Sequence, residues 1–182
     1  MPITRLTLFA ERLIGAAAGD PAVYEDVEVD ESATAEAMLT VLMSSLAAGV
    51  GIRGLGGHSV ESLVAISTAA LLLWAAWALL TFQIGTRLLP QSQTRSSVGE
   101  LLRTLGFATA PGCLRVLGVI PGVTIPVFAL TAVWMLGTMV VAVRQALDYD
   151  TTVRAVAVCL VGWALAVAVA VLLGVLWGPS LS

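Results

Sequence analysis

The sequence has few charged residues and few of the residue types from which catalytic and metal sites are built. Charged residues make up 12% of it, whereas soluble domains contain about a quarter, and this excludes an ordinary soluble domain. Its one histidine, His58, has Ser59 and Glu61 nearby, a grouping that matches neither a metal cluster nor a catalytic triad. Its two cysteines, Cys113 and Cys159, lie apart in apolar stretches without a CxxC motif. They are typical of small buried hydrophobic residues rather than of a disulfide or a metal site.

Several functional motifs are also missing. There is no phosphate-binding loop, no nucleophile paired with a base, and no EF-hand spacing among the acidic residues. Lysine is absent, so the nine basic residues are all arginines, and the net charge of −3 offers no basic surface to nucleic acid. The sequence therefore predicts a protein that is not an enzyme, has no catalytic, cofactor-binding or metal-binding residues, and does not bind nucleic acid.

The sequence does contain long apolar runs. Hydrophobic residues make up 58% of the chain and the mean hydropathy is +0.96. Because about 20 apolar residues suffice to cross the hydrocarbon core of a bilayer, these runs predict an all-α integral membrane protein with a transmembrane domain over residues 32–178. Ser32 is placed to cap the first span. The predicted spans are 33–52, 62–84, 98–120, 123–143 and 154–177.

The chain before the first span, residues 1–31, is predicted to lie in the cytoplasm. Residues 2–18 have apolar side chains at a spacing near 3.6 residues, which indicates an amphipathic helix in the membrane interface. A signal peptide is the alternative, with the small residues at the end of this stretch as its cleavage site. Glu11 and Arg12 argue against it, because they interrupt what would be the uncharged core of a signal peptide.

An acidic segment follows at residues 20–31. It contains six of the twelve acidic residues, and two interpretations stay open. The first is a solvated linker whose charge keeps it out of the bilayer. The second is a strip that contacts a basic partner through Tyr24, Glu25, Asp26 and Glu28.

The predicted third span differs from the others because it combines several glycines with one proline and two arginines. Ser97 and Glu100 have the spacing of a capping box, which predicts that the helix begins near Val98. Further along, Pro111 removes a backbone hydrogen bond and predicts a kink. The candidate kink and functional residues are Gly106, Pro111, Gly112 and Arg115.

Pro111 and Arg115 each allow two interpretations. The kink at Pro111 either only lets helices pack, which we favour, or acts as a moving hinge. An arginine inside a span is costly in hydrocarbon, so Arg115 either reaches the outer interface by snorkelling or is a buried functional charge. If the span ends at Ile120, a rise of ~1.5 Å per residue puts Arg115 about 8 Å from that end. A long side chain can cover this distance, and the sequence therefore favours snorkelling.

The arginines predict the orientation of the chain. With five spans, seven arginines fall on one side and two on the other, and the side rich in arginine is expected to be the cytoplasm. We therefore expect the N-terminus in the cytoplasm and the C-terminus outside. The seven are Arg5, Arg12, Arg87, Arg95, Arg103, Arg144 and Arg154, and the two are Arg53 and Arg115.

Three stretches of the sequence together carry a family resemblance. They are DPAVYE at 20–25, GELLRTLGFATAPG at 99–112 and VVAVRQALDYDTTVRA at 140–155. With five spans between residues 20 and 177, they resemble the bacterial branch of the Yip1 family. The most characteristic positions are Gly106, Phe107, Pro111, Arg144, Ala146, Leu147 and Asp148.

The resemblance implies a five-span protein of the bacterial inner (plasma) membrane that associates with other membrane proteins. Eukaryotic members of the family bind prenylated small GTPases through a long cytoplasmic tail. That partner is not expected here, because the corresponding segment is only residues 1–31.

Two functions stay open. The first is a scaffold or accessory subunit without enzymatic activity, which associates in the lipid bilayer with other integral membrane proteins or with a second copy of itself. Small residues on the first span, among them Ser44, Ser45, Ala48 and Gly49, suit close helix packing and favour this function. The alternative is a small transporter or channel that uses the kinked third helix and Arg115, since broken helices form substrate sites in transporters.

Overall fold

The computed structural model describes residues 2–55, 60–88 and 97–177, and in these ranges the regular structure is helical, without strands. The α-helices there are α1 (Pro2–Ala18), α2 (Pro21–Val29), α3 (Ala33–Gly51), α4 (Val60–Gln83), α5 (Val98–Phe107), α6 (Thr124–Ala146) and α7 (Thr152–Trp177). The shorter helices are the 3₁₀ helices Ile52–Leu55 and Ala110–Val119 and the π-helix Ile84–Leu88. His58 and Ser59 lie outside the described residues.

Three helices are long and apolar enough to cross a membrane, judged by length and composition. They are Ala33–Gly54, Ser67–Arg87 and Thr124–Ala146, and Thr152–Leu165 is a shorter apolar helix. The prediction of an all-helical chain with apolar helices of membrane length is confirmed. The number of five spans stays a prediction.

The segment 98–119 runs alongside α3 in the same direction. A Cβ atom added to Gly106 would lie 2.8 Å from the Cβ of Ala37, and one added to Gly112 would collide with the Oγ of Ser44. Real Cβ atoms do not make contacts this close. Glycine is therefore required at both positions for the two backbones to approach each other.

On its other side, the same segment packs antiparallel to α6. The Oγ1 of Thr138 donates a hydrogen bond to the carbonyl of Ala108 at 2.8 Å, and the Oγ1 of Thr124 donates to the carbonyl of Gly118 at 2.6 Å. Carbonyls at the end of a helix have no partner within it, and these threonines supply one from the neighbouring helix. The segment is therefore held between α3 and α6 along its length.

The helix type changes just before Pro111. α5 ends at Phe107, and Ala110–Val119 has 3₁₀ geometry. The N–H groups of Thr109 and Gly112 bond carbonyls three residues earlier, at 3.2 and 2.8 Å, and a proline has no N–H with which to continue α-helical bonding. Where the sequence predicts one kinked α-helix, the structure has a short α-helix followed by a 3₁₀ helix.

Residues 21–29 form a helix, so the interpretation of this stretch as a solvated linker is wrong. Asp20 caps the helix by accepting a hydrogen bond from the N–H of Ala22 at 3.0 Å. The side chains of Tyr24 and Val27 are fully buried. α2 lies against α5 and α6, and its burial there explains why this acidic stretch is ordered.

The turn between α2 and α3 is built by Asp30, and the predicted cap at Ser32 is wrong. Ser32 makes no side-chain capping bond to α3. Its N–H and its hydroxyl instead donate to the Oδ1 of Asp30, at 2.9 and 2.6 Å. An aspartate that bonds the backbone two residues onward stabilises a turn, and this competes with the expected cap.

The core includes a cluster of buried side chains at the end of the bundle where α3 and α5 begin and α6 ends. We call this the α1/α2 end, because α1 and α2 cover it. Phe9 of α1 packs against Phe107, with ring centroids 6.2 Å apart. On its outward side, α1 exposes the apolar residues Leu6 and Ile14. Other large side chains in this cluster are Tyr24, Val27, Leu101, Leu105, Val143 and Leu147.

Candidate functional site

Arg12 is the centre of a charge cluster that joins α1, α2 and α3. Its Nε and Nη2 donate to the Oδ2 atoms of Asp26 and Asp30 at 2.8 and 2.7 Å, and its Nη1 donates to the Oε2 of Glu36 at 3.1 Å. The Arg12 side chain is only 6% exposed. Burial lowers the pKa of Arg12, but the hydrogen bonds to the three carboxylates outweigh it and raise the pKa above its ordinary value. The charge of Arg12 is therefore fixed by the chain itself.

Asp30 is held in its ionised form by two neighbours. Hydrogen bonds from Ser32 and then from Arg12 lower the pKa of Asp30 to about 2. Because this value lies below any pH at which the folded protein would be handled, Asp30 stays ionised. We infer that the ion pair of Arg12 with Asp30 is a fixed contact that does not respond to pH.

The residues of the predicted partner strip make contacts inside the chain. Tyr24 is fully buried, and its hydroxyl donates to the carbonyl of Ala16 at 2.9 Å. Asp26 belongs to the charge cluster, and Glu25 accepts a hydrogen bond from the Nε2 of Gln145 at 2.7 Å. The interpretation of Tyr24 as a partner contact is wrong, because its side chain does not reach the surface. Glu25 and Asp26 remain exposed.

Glu28, the fourth residue of that strip, lies partly buried beside other acidic groups. Its backbone carbonyl accepts a hydrogen bond from the Nε of Arg103 at 3.1 Å. Burial, and after it the negative charges of Asp148 and Glu100, raise the pKa of Glu28 to about 7. Glu28 therefore changes its charge near neutral pH, unlike Asp30.

Three of the four residues of the predicted kink are packing residues. Gly106, Pro111 and Gly112 are all buried, and the two glycines lie against α3 where a larger residue would not fit. Packing alone explains why these residues stand at these positions. The role of Pro111 as a hinge stays a prediction.

Arg115, the fourth, lies beside the end of α3 and beside a cavity. The space next to its carbonyl is taken by Gly51, the last residue of α3. Its side chain lines the cavity together with Ser44, seven residues earlier in α3. The guanidinium also lies over the ring of Phe128, and that ring stands beside Gly51 and Gly118, so these contacts do not give the side chain a single direction. The snorkelling of Arg115 to the outer interface stays a prediction.

The guanidinium of Arg115 is held by neutral groups on α6. Its Nε donates to the Oγ1 of Thr131 at 3.3 Å, and its Cζ lies 5.5 Å from the centroid of the Phe128 ring. A cation over an aromatic face is stabilised by about 0.5–2 kcal/mol. In the part of the chain that the structure describes, no carboxylate forms an ion pair with Arg115, since the ion pairs there are those of Arg12.

The cavity beside Arg115 has a volume of about 50 Å³ and lies halfway along the bundle. One of its lining residues, Met135, is the middle residue of α6 and so lies about 16 Å from either end of that helix. The lining residues are Val41, Ser44, Ser45, Trp74, Thr109, Arg115 and Met135. The cavity therefore has a basic side chain among its mainly apolar and hydroxyl-bearing lining residues.

Comparisons of the chain with protein-family models, with curated proteins and with solved structures found no match. The resemblance to the Yip1 family stays a prediction. Of the residues that carry it, Phe107 and Leu147 are buried in the core at the α1/α2 end. The Nε of Arg144 donates to the carbonyl of Tyr149 at 3.3 Å and so closes the turn after α6. These residues build the fold rather than the cavity.

The sequence did not indicate the roles of Arg12 and Trp74. Two of the carboxylates around Arg12 lie 14 and 18 residues away along the chain. Such separations carry no signal until α1 and α2 are known to pack against each other. Trp74 looks like any lipid-facing tryptophan in an apolar run. Only the neighbouring helices reveal that it lines the cavity.

Proposed function

We propose that the chain is a five-span membrane protein that acts, without enzymatic activity, as a scaffold or accessory subunit for other integral membrane proteins or for a second copy of itself. The observation that carries this proposal is how the polar side chains are used. Arg12, Tyr24 and Arg103 all bind within the chain and fasten α1 and α2 to the bundle. Polar groups that hold helices together support a structural role more than a reaction.

The location that we propose is the bacterial inner membrane, with the N-terminus in the cytoplasm and the C-terminus outside. The dimensions of segment 98–119 support a full third crossing. The ten residues of α5 extend about 15 Å and the ten of the 3₁₀ helix about 20 Å, together more than the ~30 Å of hydrocarbon. The segment is also parallel to α3 and antiparallel to α6, as the third of five alternating spans should be.

The outward surfaces of the long helices offer sites for such a partner. Val133 of α6 is 72% exposed and Trp163 of α7 is 61% exposed. Leu72 of α4 is exposed as well. Apolar side chains at these positions contact either lipid tails or the apolar surface of another membrane protein, and a partner would cover one of the surfaces and leave the others in lipid.

A photocrosslinking scan in native membranes tests the proposal. A photoreactive amino acid replaces Val133, Trp163 or Leu72 in turn, and Leu101, which is fully buried, serves as the matched control. The proposal expects a protein adduct of one defined mass from one outward surface, lipid adducts from the others, and adducts only within the chain from Leu101. Lipid adducts at every outward position, with a monomer in mild detergent, would contradict a scaffold.

The depth of Arg115 favours a second candidate, a small transporter or channel. An ionisable residue at mid-membrane depth is a default indication of a solute or ion pathway. Flux through liposomes that contain the purified chain tests it. The candidate requires flux that falls when Arg115→Ala is introduced, and flux that is absent, or unchanged by this substitution, would reject it.

A further inference from the structure

We propose that the cavity beside Arg115 binds a small inorganic anion of halide size. The inference goes beyond a scaffolding role and concerns binding alone, so it holds whether or not the anion crosses the membrane. It follows from three properties of the cavity, which are its charge, its hydrogen-bond donors and its size.

The first property is an uncompensated positive charge. The Nε of Arg115 bonds Thr131, seven residues inside α6 and so about 10 Å from the beginning of that helix. The sequence has no acidic residue at 37–60, 62–99, 101–147 or 151–182, so the acidic residues of the spans stand only at helix beginnings. A cation buried without a counter-charge is costly. An anion bound beside it would remove that cost.

The second property is a set of hydrogen-bond donors on the residues that line the cavity. Ser44 and Ser45 are lining residues, and their hydroxyls can donate. The indole Nε1 of Trp74, another lining residue, is buried and bonds no acceptor among the residues that the structure describes. A buried N–H without an acceptor is unfavourable by about 1–3 kcal/mol. A guanidinium, two hydroxyls and an indole N–H together are suited to an anion and unsuited to a cation.

The third property is the size of the cavity. Each water molecule needs roughly 10–15 Å³ of such a volume, so the 50 Å³ found here holds a few waters or one single-atom anion. The phosphate of a lipid carries ester groups and chains that need more room, and it belongs at the bilayer surface, about 15 Å from the midplane. Size and depth therefore favour a halide over a lipid headgroup. Water alone is the competing occupant.

Tryptophan fluorescence provides the test, because a heavy halide bound in the cavity would touch the Trp74 indole and quench it. The full chain, in lipid nanodiscs, is titrated with sodium bromide at an ionic strength held constant with sodium gluconate, whose anion is too large to enter. We expect a saturable quenching component on top of the linear collisional one. Trp74→Phe should abolish that component, whereas Trp163→Phe, the matched control at an outward position, should retain it.

Substitution of the cation tests the role that we assign to Arg115. Arg115→Gln should weaken the apparent bromide affinity at least about tenfold, which corresponds to about 1.4 kcal/mol, and Arg115→Lys should restore part of it. Ser45→Ala keeps the charge and should weaken the affinity less, so the proposal can be judged even if Arg115→Gln fails to fold. Purely linear quenching in the unsubstituted chain, or saturable quenching that survives in Arg115→Gln, would overturn the proposal and leave water as the occupant.

Discussion

Replacing Arg12 by glutamine should release α1 and α2 from the bundle without unfolding the bundle itself. The substitution keeps most of the side-chain volume but removes the charge, and it leaves Asp26, Asp30 and Glu36 close together without a cation. Removing one partner from a fully buried ion pair typically destabilises by about 3–5 kcal/mol. The loss here should be smaller, because water reaches the carboxylates, whose side chains are 54%, 31% and 24% exposed.

We therefore expect Arg12→Gln to destabilise the docked state of α1 and α2 by about 2 kcal/mol. At about 1.4 kcal/mol for each factor of ten, this raises the undocked population about 30-fold. Backbone amides that exchange hydrogen through local opening report such a change directly. Hydrogen–deuterium exchange of the chain in nanodiscs should therefore accelerate about 30-fold in α1 and α2 and remain unchanged in α3 and α6.

Arg5→Gln provides the matched control, because Arg5 lies on the same helix, is exposed and takes no part in the cluster. It removes the same charge from α1 and should leave the exchange rates as they are. Equal exchange rates in Arg12→Gln and Arg5→Gln would refute the assignment of Arg12 as the residue that fastens α1 to α2 and α3.

Three further substitutions test other parts of the structure. Because the folded-state pKa of Glu28 is about 7 and its ordinary value is 4.5, the folded chain keeps a proton between these pH values that the unfolded chain has released. The associated stability is therefore present below pH 4.5 and lost as the pH rises through 7. Hydrogen exchange measured for α2 from pH 5.5 to 8, corrected for intrinsic rates, should show this loss in the unsubstituted chain and a flat profile in Glu28→Gln. Gly106→Ala should lower thermal stability by about 1–3 kcal/mol, because the added Cβ would clash with Ala37. Gly137→Ala should not lower thermal stability, because nothing lies within 4 Å of the added Cβ there. Equal melting temperatures of the two variants would contradict the close packing at Gly106. Tyr24→Phe should lose one buried hydrogen bond and about 1 kcal/mol, seen as faster exchange in α2, and unchanged exchange would argue against the buried position of its hydroxyl.

Features governed by neighbouring residues could be predicted from the sequence. The capping box is the clearest example, since Ser97 and Glu100 make both of the expected bonds, at 2.8 and 3.2 Å, and α5 begins at Val98. Both partners lie within one helical turn, so the pattern contains all the information needed. The general class of long apolar helices was predictable for the same reason, because it depends on composition.

Features governed by distant residues could not be predicted. The acidic composition of residues 20–31 is typical of a solvated linker, yet Tyr24 and Val27 bury α2 against α5 and α6. The surroundings of Arg115 likewise depend on which helices stand beside it. The cavity that its side chain lines is bounded by Ser44 on α3 and Met135 on α6, and no local pattern encodes that arrangement.

Arg12 and Arg115 have opposite relations to the fold, and this contrast separates the two roles that we assign to them. Three carboxylates of the chain neutralise Arg12, so its loss should destabilise the protein. The acidic residues of the spans stand only at helix beginnings, so the buried charge of Arg115 is unfavourable unless an occupant of the cavity neutralises it. Arg115→Gln should therefore preserve or raise the melting temperature in gluconate, and bromide should stabilise the unsubstituted chain more than this variant. That pair of results would identify Arg115 as a residue that binds a ligand rather than one that packs the helices.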